Sequence, residues 1–174
     1  MRQICYSVAM SLDGYIAGPN GEYDWIIMDP EIDFGALMSR FDTLLMGRIS
    51  YEAAKGQGGG DGGMSGMKTV VVSRTLRPEE NPNVTIVGSD LAAQVSQLKS
   101  QPGKDIWLFG GGSLFRSLLE VGLVDRVEVA VIPVLLGDGI PFLPSPANRA
   151  RLKLKNHKIY KTGIVGLDYE FIGP

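Results

Sequence analysis

Cysteine and histidine are almost missing from this chain: Cys5 and His157 are the only ones among 174 residues. A single cysteine excludes a disulfide framework within the chain. Together the two cannot supply a four-ligand structural zinc site, nor the His-x-Glu and Cys-x-x-Cys set of a zinc deaminase. His157 lies in the charged stretch Lys153-Leu154-Lys155-Asn156-His157-Lys158, where it reads as an exposed strand residue with no catalytic role. An excess of one charge is lacking too. With 17 basic and 19 acidic residues the net charge is −2, so no nucleic-acid partner is expected. Long apolar runs are absent. The amino-terminal run Ile4–Met10 falls far short of the roughly 20 residues needed to cross a bilayer, and it has no basic flank or small-residue cleavage site. The expectation is a cytoplasmic protein with no membrane partner.

What is present is the composition of one ordinary domain over residues 1–174, with 44% hydrophobic and 21% charged residues. Short β-branched or apolar runs read as strands at Ile4–Met10, Thr43–Met46, Thr69–Ser73, Val84–Val87, Ile106–Phe109 and Val127–Ile132. Val70-Val71-Val72 and Ile106-Trp107-Leu108-Phe109 are apolar on consecutive positions, as in strands buried on both faces. Between the strands lie three helical patterns. Phe34, Leu37, Met38 and Phe41 make one stripe behind Asp29-Pro30, which reads as N-cap and first-turn proline. Leu91, Val95 and Leu98 follow Ser89-Asp90, and Leu114, Leu118 and Val121 follow Ser113. Near the end, Leu152–Tyr160 and Ile164–Ile172 flank Lys161-Thr162-Gly163, a hairpin signal. The expected architecture is α/β: a mixed, mostly parallel sheet with helices on both faces and a carboxyl-terminal antiparallel hairpin.

In an open sheet of this kind ligands collect at the carboxyl ends of the strands, so strand-to-helix junctions carry the chemistry. Leu44-Leu45-Met46-Gly47-Arg48 runs into a helix start, where Gly47 permits close approach and Arg48 can grip a phosphate in bidentate fashion. A helix cap with a surface arginine describes this segment equally well. Val70-Val71-Val72-Ser73-Arg74 ends in a hydroxyl and a second guanidinium. Trp107-Leu108-Phe109 leads through Gly110-Gly111-Gly112 into Ser113, so backbone N–H groups and the helix dipole can meet a pyrophosphate with no side chain in the way. Seven of the eleven residues in Gly56–Gly66 are glycine, which cannot pack a core; a mobile lid and a disordered loop both fit. No Gly-Lys-Ser/Thr follows it, which excludes a P-loop.

Taken together, Met46-Gly47-Arg48 with Ser50, Val72-Ser73-Arg74, and Gly110-Gly111-Gly112 with Phe115 resemble the dihydrofolate reductase-like family, in order and spacing. Ser11-Leu12-Asp13-Gly14-Tyr15-Ile16-Ala17 and Pro133-Val134-Leu135-Leu136-Gly137-Asp138-Gly139 resemble its riboflavin-biosynthesis (RibD C-terminal) branch. The resemblance spans about residues 2–172. It implies hydride transfer from NADPH to a small-molecule substrate. It places Ala9, Ile16 and the Asn20-Gly21 turn by the nicotinamide, with Gly47, Arg48, Ser50, Ser73 and Arg74 on phosphate. Gly110, Gly111, Gly112, Ser113, Leu114 and Phe115 fall at the pyrophosphate turn. A homodimer is also implied, since relatives of this branch dimerise.

For a folate substrate the family's spacing calls for an acid near Glu31 or Asp33, of which one can face the pocket; Asp29 reads as the helix cap. An acidic first turn is also what the helix dipole favours by itself. The arginine that grips the glutamate tail of folate is replaced by Met67, and the threonine supporting the acid by Ala130, which ranks dihydrofolate second. The expected reaction is NADPH-dependent reduction of a small heterocycle, as in the aminopyrimidine reductase of the riboflavin pathway. Dihydrofolate reduction, and NADPH binding without catalysis, are the alternatives.

Overall fold

The runs that are apolar at consecutive positions do lie between two layers of helices. In the computed structural model, which describes residues 1–56, 63–64 and 66–172, the chain runs β1 (Ile4–Ser11), β2 (Tyr15–Ala17), α1 (Phe34–Ser39), β3 (Phe41–Gly47), α2 (Arg48–Gly56), β4 (Lys68–Val72) and β5 (Thr85–Val87). It continues through α3 (Leu91–Ser100), β6 (Asp105–Gly110), α4 (Gly112–Glu120), β7 (Arg126–Ile132), β8 (Ile140–Pro141), β9 (Arg151–Ile159) and β10 (Val165–Ile172). Eight strands form one sheet in the order β5-β4-β3-β6-β1-β7-β10-β9. The first six are mutually parallel, and β10 and β9 add an antiparallel hairpin. This is the mixed, mostly parallel sheet that the sequence leads one to expect.

The two-residue period of the strands sorts their side chains into two cores. Ile4, Tyr6, Leu45, Val70, Ile106 and Leu108 face α3 and α4, where Tyr6 stacks on Phe115 with ring centroids 4.1 Å apart. Cys5, Leu44, Met46, Val71 and Trp107 point the other way, toward Tyr51 of α2 and Leu37 and Met38 of α1. Burial pushes the Cys5 thiol up, with the Glu128 charge adding to it, so the thiol stays protonated and serves as a small apolar group.

Three local expectations need correction. The helix expected from Asp29 is only Phe34–Ser39, and its cap is Asp33, whose carboxylate accepts from the Ala36 N–H at 2.8 Å. Asp29 is buried and accepts from the Glu31 N–H at 2.8 Å and the Thr162 hydroxyl at 2.7 Å. It ties this loop to the β9–β10 turn, and those hydrogen bonds hold its carboxyl below the usual range. Phe41 opens β3 and packs on Trp107, so it is not part of a helical stripe. At the start of α4 the cap is Gly111, not Ser113, and Val121 lies just beyond the helix.

The pair β2 and β8 was not foreseen. Its strands are only three and two residues long, too short for a periodic signal. The glycine-rich expectation over Gly56–Gly66 falls largely on residues outside those described.

Candidate active site

The carboxyl ends of β3, β4, β5 and β6 open on a single cleft of about 1130 Å³ that continues over β1 toward β2. Each junction contributes through its local chemistry. Gly47 ends β3 with its Cα face 4.0 Å from the Gly110 carbonyl, measured to where a Cβ would stand, and Ser50 one turn later lies against Gly110 and Gly111. Gly110 has φ +148°, a conformation open to glycine but strained for other residues, and a side chain on Gly112 would collide with the Pro141 carbonyl at 2.6 Å. The glycine turn is thus fixed both by its own backbone and by the β8 segment behind it. The N–H groups of Gly112 and Ser113, at the start of the nine-residue α4, have no acceptor among the described residues.

The side chains at the outer rim are cationic. Arg48 opens α2 and pairs with Glu52 at 2.8 Å in an exposed, one-turn ion pair. Arg74 is exposed and has no hydrogen bond or ion pair among the described residues. Between them Ser73 is buried, and its hydroxyl oxygen accepts from the N–H groups of Thr75 at 3.2 Å and Leu76 at 3.0 Å. That folds the chain sharply after β4, and the same hydroxyl lies 3.4 Å from the Thr75 hydroxyl.

At the inner end Ala9 of β1 and Ile16 of β2 line the cleft together with Gly21, Tyr23 and Ile26. The loops that carry them are joined through Asp13, whose carboxylate accepts from the N–H groups of Leu136 at 3.1 Å and Gly137 at 2.7 Å. Hydrogen bonds from the Ser11 hydroxyl and Gly137 hold that carboxyl below the usual range. The two segments that resembled the riboflavin branch in sequence therefore fold against each other beside the cleft.

Of the residues expected at the cofactor, Ala9, Ile16, Gly47, Arg48, Ser50, Ser73, Arg74 and the run Gly110–Leu114 all line the cleft. Phe115 does not; it is buried in the α4 core against Tyr6. Glu31 and Asp33 do not line it either. Glu31 pairs with Lys161 at 3.2 Å on the surface, and Asp33 caps α1. Sequence reasoning missed Gly88, Ser89 and Asp90 at the end of β5, which also line the cleft. The signal was there, since Ser89-Asp90 caps α3 through Asp90, but the segment was weighed only as a helix start. Trp107 and Phe109, read as strand core, line the cleft as well.

Comparison with known proteins fits this geometry. The RibD C-terminal domain model matches residues 2–166. This chain belongs to the RibD C-terminal domain family. The RibD C-terminal domain is a reductase family, so the coarse assignment is oxidoreductase chemistry. The uncharacterized protein YyaP of Bacillus subtilis is 35% identical over 99% of this chain and 96% of its own. Among solved structures, a protein of Shewanella sp. PV-4 named for riboflavin biosynthesis superimposes with a TM-score of 0.84 at 24% identity, over 99% of this chain and 100% of that one. Dihydrofolate reductase of Enterococcus faecalis, solved with NADP(H), gives a TM-score of 0.71 at 15% identity, over 98% and 97%. The RibD-type fold is thus shared with dihydrofolate reductase. No helix among the described residues is long and apolar enough to cross a membrane.

Proposed function

We propose that this RibD-type domain is an NADPH-dependent reductase of a small heterocyclic substrate, of the kind found in the riboflavin pathway. The observation that carries this reading is the convergence of four strand ends, two free helix N–H groups and the guanidinium groups of Arg48 and Arg74 on one cleft. That donor set fits a dinucleotide with an extra phosphate. The Gly110–Ser113 turn would hold the pyrophosphate, and Arg48, Ser73 and Arg74 the 2′-phosphate, while Ala9, Ile16 and Gly21 would border the nicotinamide. Bound there, NADPH supplies a hydride. The chain's own part is to position both reactants and keep water from the inner end, which is lined by apolar groups.

Titration of NADPH and NADH fluorescence tests the reading. Binding of NADPH at least tenfold tighter than NADH supports it, the scale set by about 1.5 kcal/mol for one charge-assisted phosphate contact. Equal affinity, or no binding, removes it. NADPH oxidation with a panel of pterins, aminopyrimidines and small carbonyl compounds then separates a reductase from a binder without turnover.

Dihydrofolate is the weaker reading. Met67 packs its apolar side chain toward the Cys5–Trp107 core where a tail-binding arginine would be needed, and neither Glu31 nor Asp33 lines the cleft. A micromolar Michaelis constant for dihydrofolate in the natural protein would reverse this ranking. The proposal also includes a homodimer. The nine residues of β9 lie exposed at the sheet edge, an arrangement that pairing or charge must protect; sedimentation at micromolar concentration tests it, and a clean monomer removes it.

A further inference from the structure

Every lysine and arginine of this chain can be located, because the residues outside those described, 57–62, 65, 173 and 174, include none. Only Arg48 and Arg74 line the cleft, and both stand at the ends of β3 and β4, on the rim assigned above to the cofactor's extra phosphate. Other cations of the sheet and its loops are engaged away from the cleft. Arg40 is bound to Glu128 at 2.5 Å, Arg126 to Asp168 at 2.6 Å, and Lys161 to Glu31 at 3.2 Å.

The inner end offers a different chemistry. Ala9, Ile16, Tyr23, Ile26, Trp107 and Phe109 line it, with Trp107 and Phe109 edge to face at 5.7 Å. The indole N–H of Trp107 is already used, donating to the Ser7 carbonyl at 2.9 Å, so what this side chain presents is a ring and not a donor. Methyl groups and ring surfaces favour a flat molecule; Ser7 and Tyr23 add polar groups, but no lysine or arginine lines that space to neutralise a dianion. A phosphate carried into that space would lose water without gaining a cation.

We propose that the acceptor bound at the inner end is a flat heterocycle carrying no phosphate group. This rests on the NADPH reading of the outer rim, and it separates the chain from a ribosylaminopyrimidine phosphate reductase while keeping the same type of reaction.

The experiment uses the full chain. NADPH is titrated first; failure at this step removes the proposed function, and the inference with it, before any acceptor is added. Matched pairs that differ only in a phosphate, riboflavin with flavin mononucleotide and uridine with uridine monophosphate, are then titrated into the NADPH-saturated protein by flavin quenching and calorimetry. At least one unphosphorylated ring should bind, about tenfold or more tighter than its phosphorylated partner, because an unpaired buried charge costs at least that much. The preference should not depend on salt. Equal or tighter binding of the phosphorylated members overturns the inference while leaving the NADPH reading standing, and so does failure of both unphosphorylated rings to bind. Ile26→Arg places a cation at the inner end and should raise flavin mononucleotide toward riboflavin in affinity. An unchanged ratio in that variant counts against this placement of the acceptor.

Discussion

The two ends of the parallel strands treat charge in opposite ways. At the amino ends, basic side chains are matched. Arg2 is buried and paired with Asp42, and Lys99, buried in the last turn of α3, donates to Asp125 at 2.6 Å and to the Leu123 carbonyl at 3.1 Å. Asp125 in turn accepts from the Ile4 N–H at 2.7 Å, so one carboxylate joins α3 to the first residue of β1. At the carboxyl ends Arg74 has no partner among the described residues, and Arg48 has only an exposed glutamate one turn away. The same residue types thus hold the fold together at one end and stand open to a ligand at the other. Burial and pairing, and not residue identity, mark the difference.

Removing a partner at the amino ends should give the largest effect. Asp125→Ala leaves the Lys99 ammonium with the Leu123 carbonyl alone and the Ile4 N–H without its acceptor, and is expected to cost about 2 kcal/mol in urea unfolding, reduced from a fully buried pair because Asp125 is one-third exposed. It should leave the ratio of NADPH to NADH affinity untouched; a change in that ratio would mean the two ends are not separate. At the carboxyl ends the pattern reverses. Arg48→Ala and Arg74→Ala should each weaken NADPH by about tenfold and NADH hardly at all, with stability shifted by less than about 0.5 kcal/mol. Loss of both nucleotides in the arginine variants would show that these side chains serve the fold.

Acid should act on the amino ends next. Burial works to raise the Asp42 carboxyl, but the Lys104 N–H, the Thr43 hydroxyl and the Arg2 charge outweigh it and hold the group below its ordinary value. A carboxyl depressed in the fold contributes stability above the unfolded value, and that contribution is lost as pH falls through the folded one. Unfolding midpoints should therefore drop below about pH 4, and Asp42→Asn should flatten part of the drop; an identical pH profile in the variant would remove Asp42 from the account. The smallest effect should come from salt. Raising it from about 50 to about 500 mM should shrink the NADPH preference roughly threefold, since Arg48 and Arg74 are exposed and screened, whereas the paired amino ends should barely respond.

The parallel strands were legible because alternating or continuous apolar residues report burial directly, and the glycine and arginine junctions because few structures need those residues together. The Asp29–Phe41 region was misread for a physical reason. Its carboxylates Asp29 and Asp33 can each cap a helix, and the choice was made by Thr162, a residue 133 positions away that captures Asp29. Trp107 and Phe109 were read as core because they are apolar and belong to a central strand. That reading holds for the packing of Trp107 against Phe41, but one face of the strand opens on the cleft, which no local pattern reveals.

The place of β1 in the sheet sets the order in which this molecule can be assembled. Its neighbours are β6 and β7, so this strand waits for partners more than a hundred residues later, as in the bond from the Gln3 N–H to Asp105, which spans 102 positions. A nascent chain that has not yet exposed Asp105 holds an apolar strand with two open edges. Closing such long loops slows the search for the native pairing, and an amino-terminal fragment ending before β6 should associate with other chains and not fold by itself.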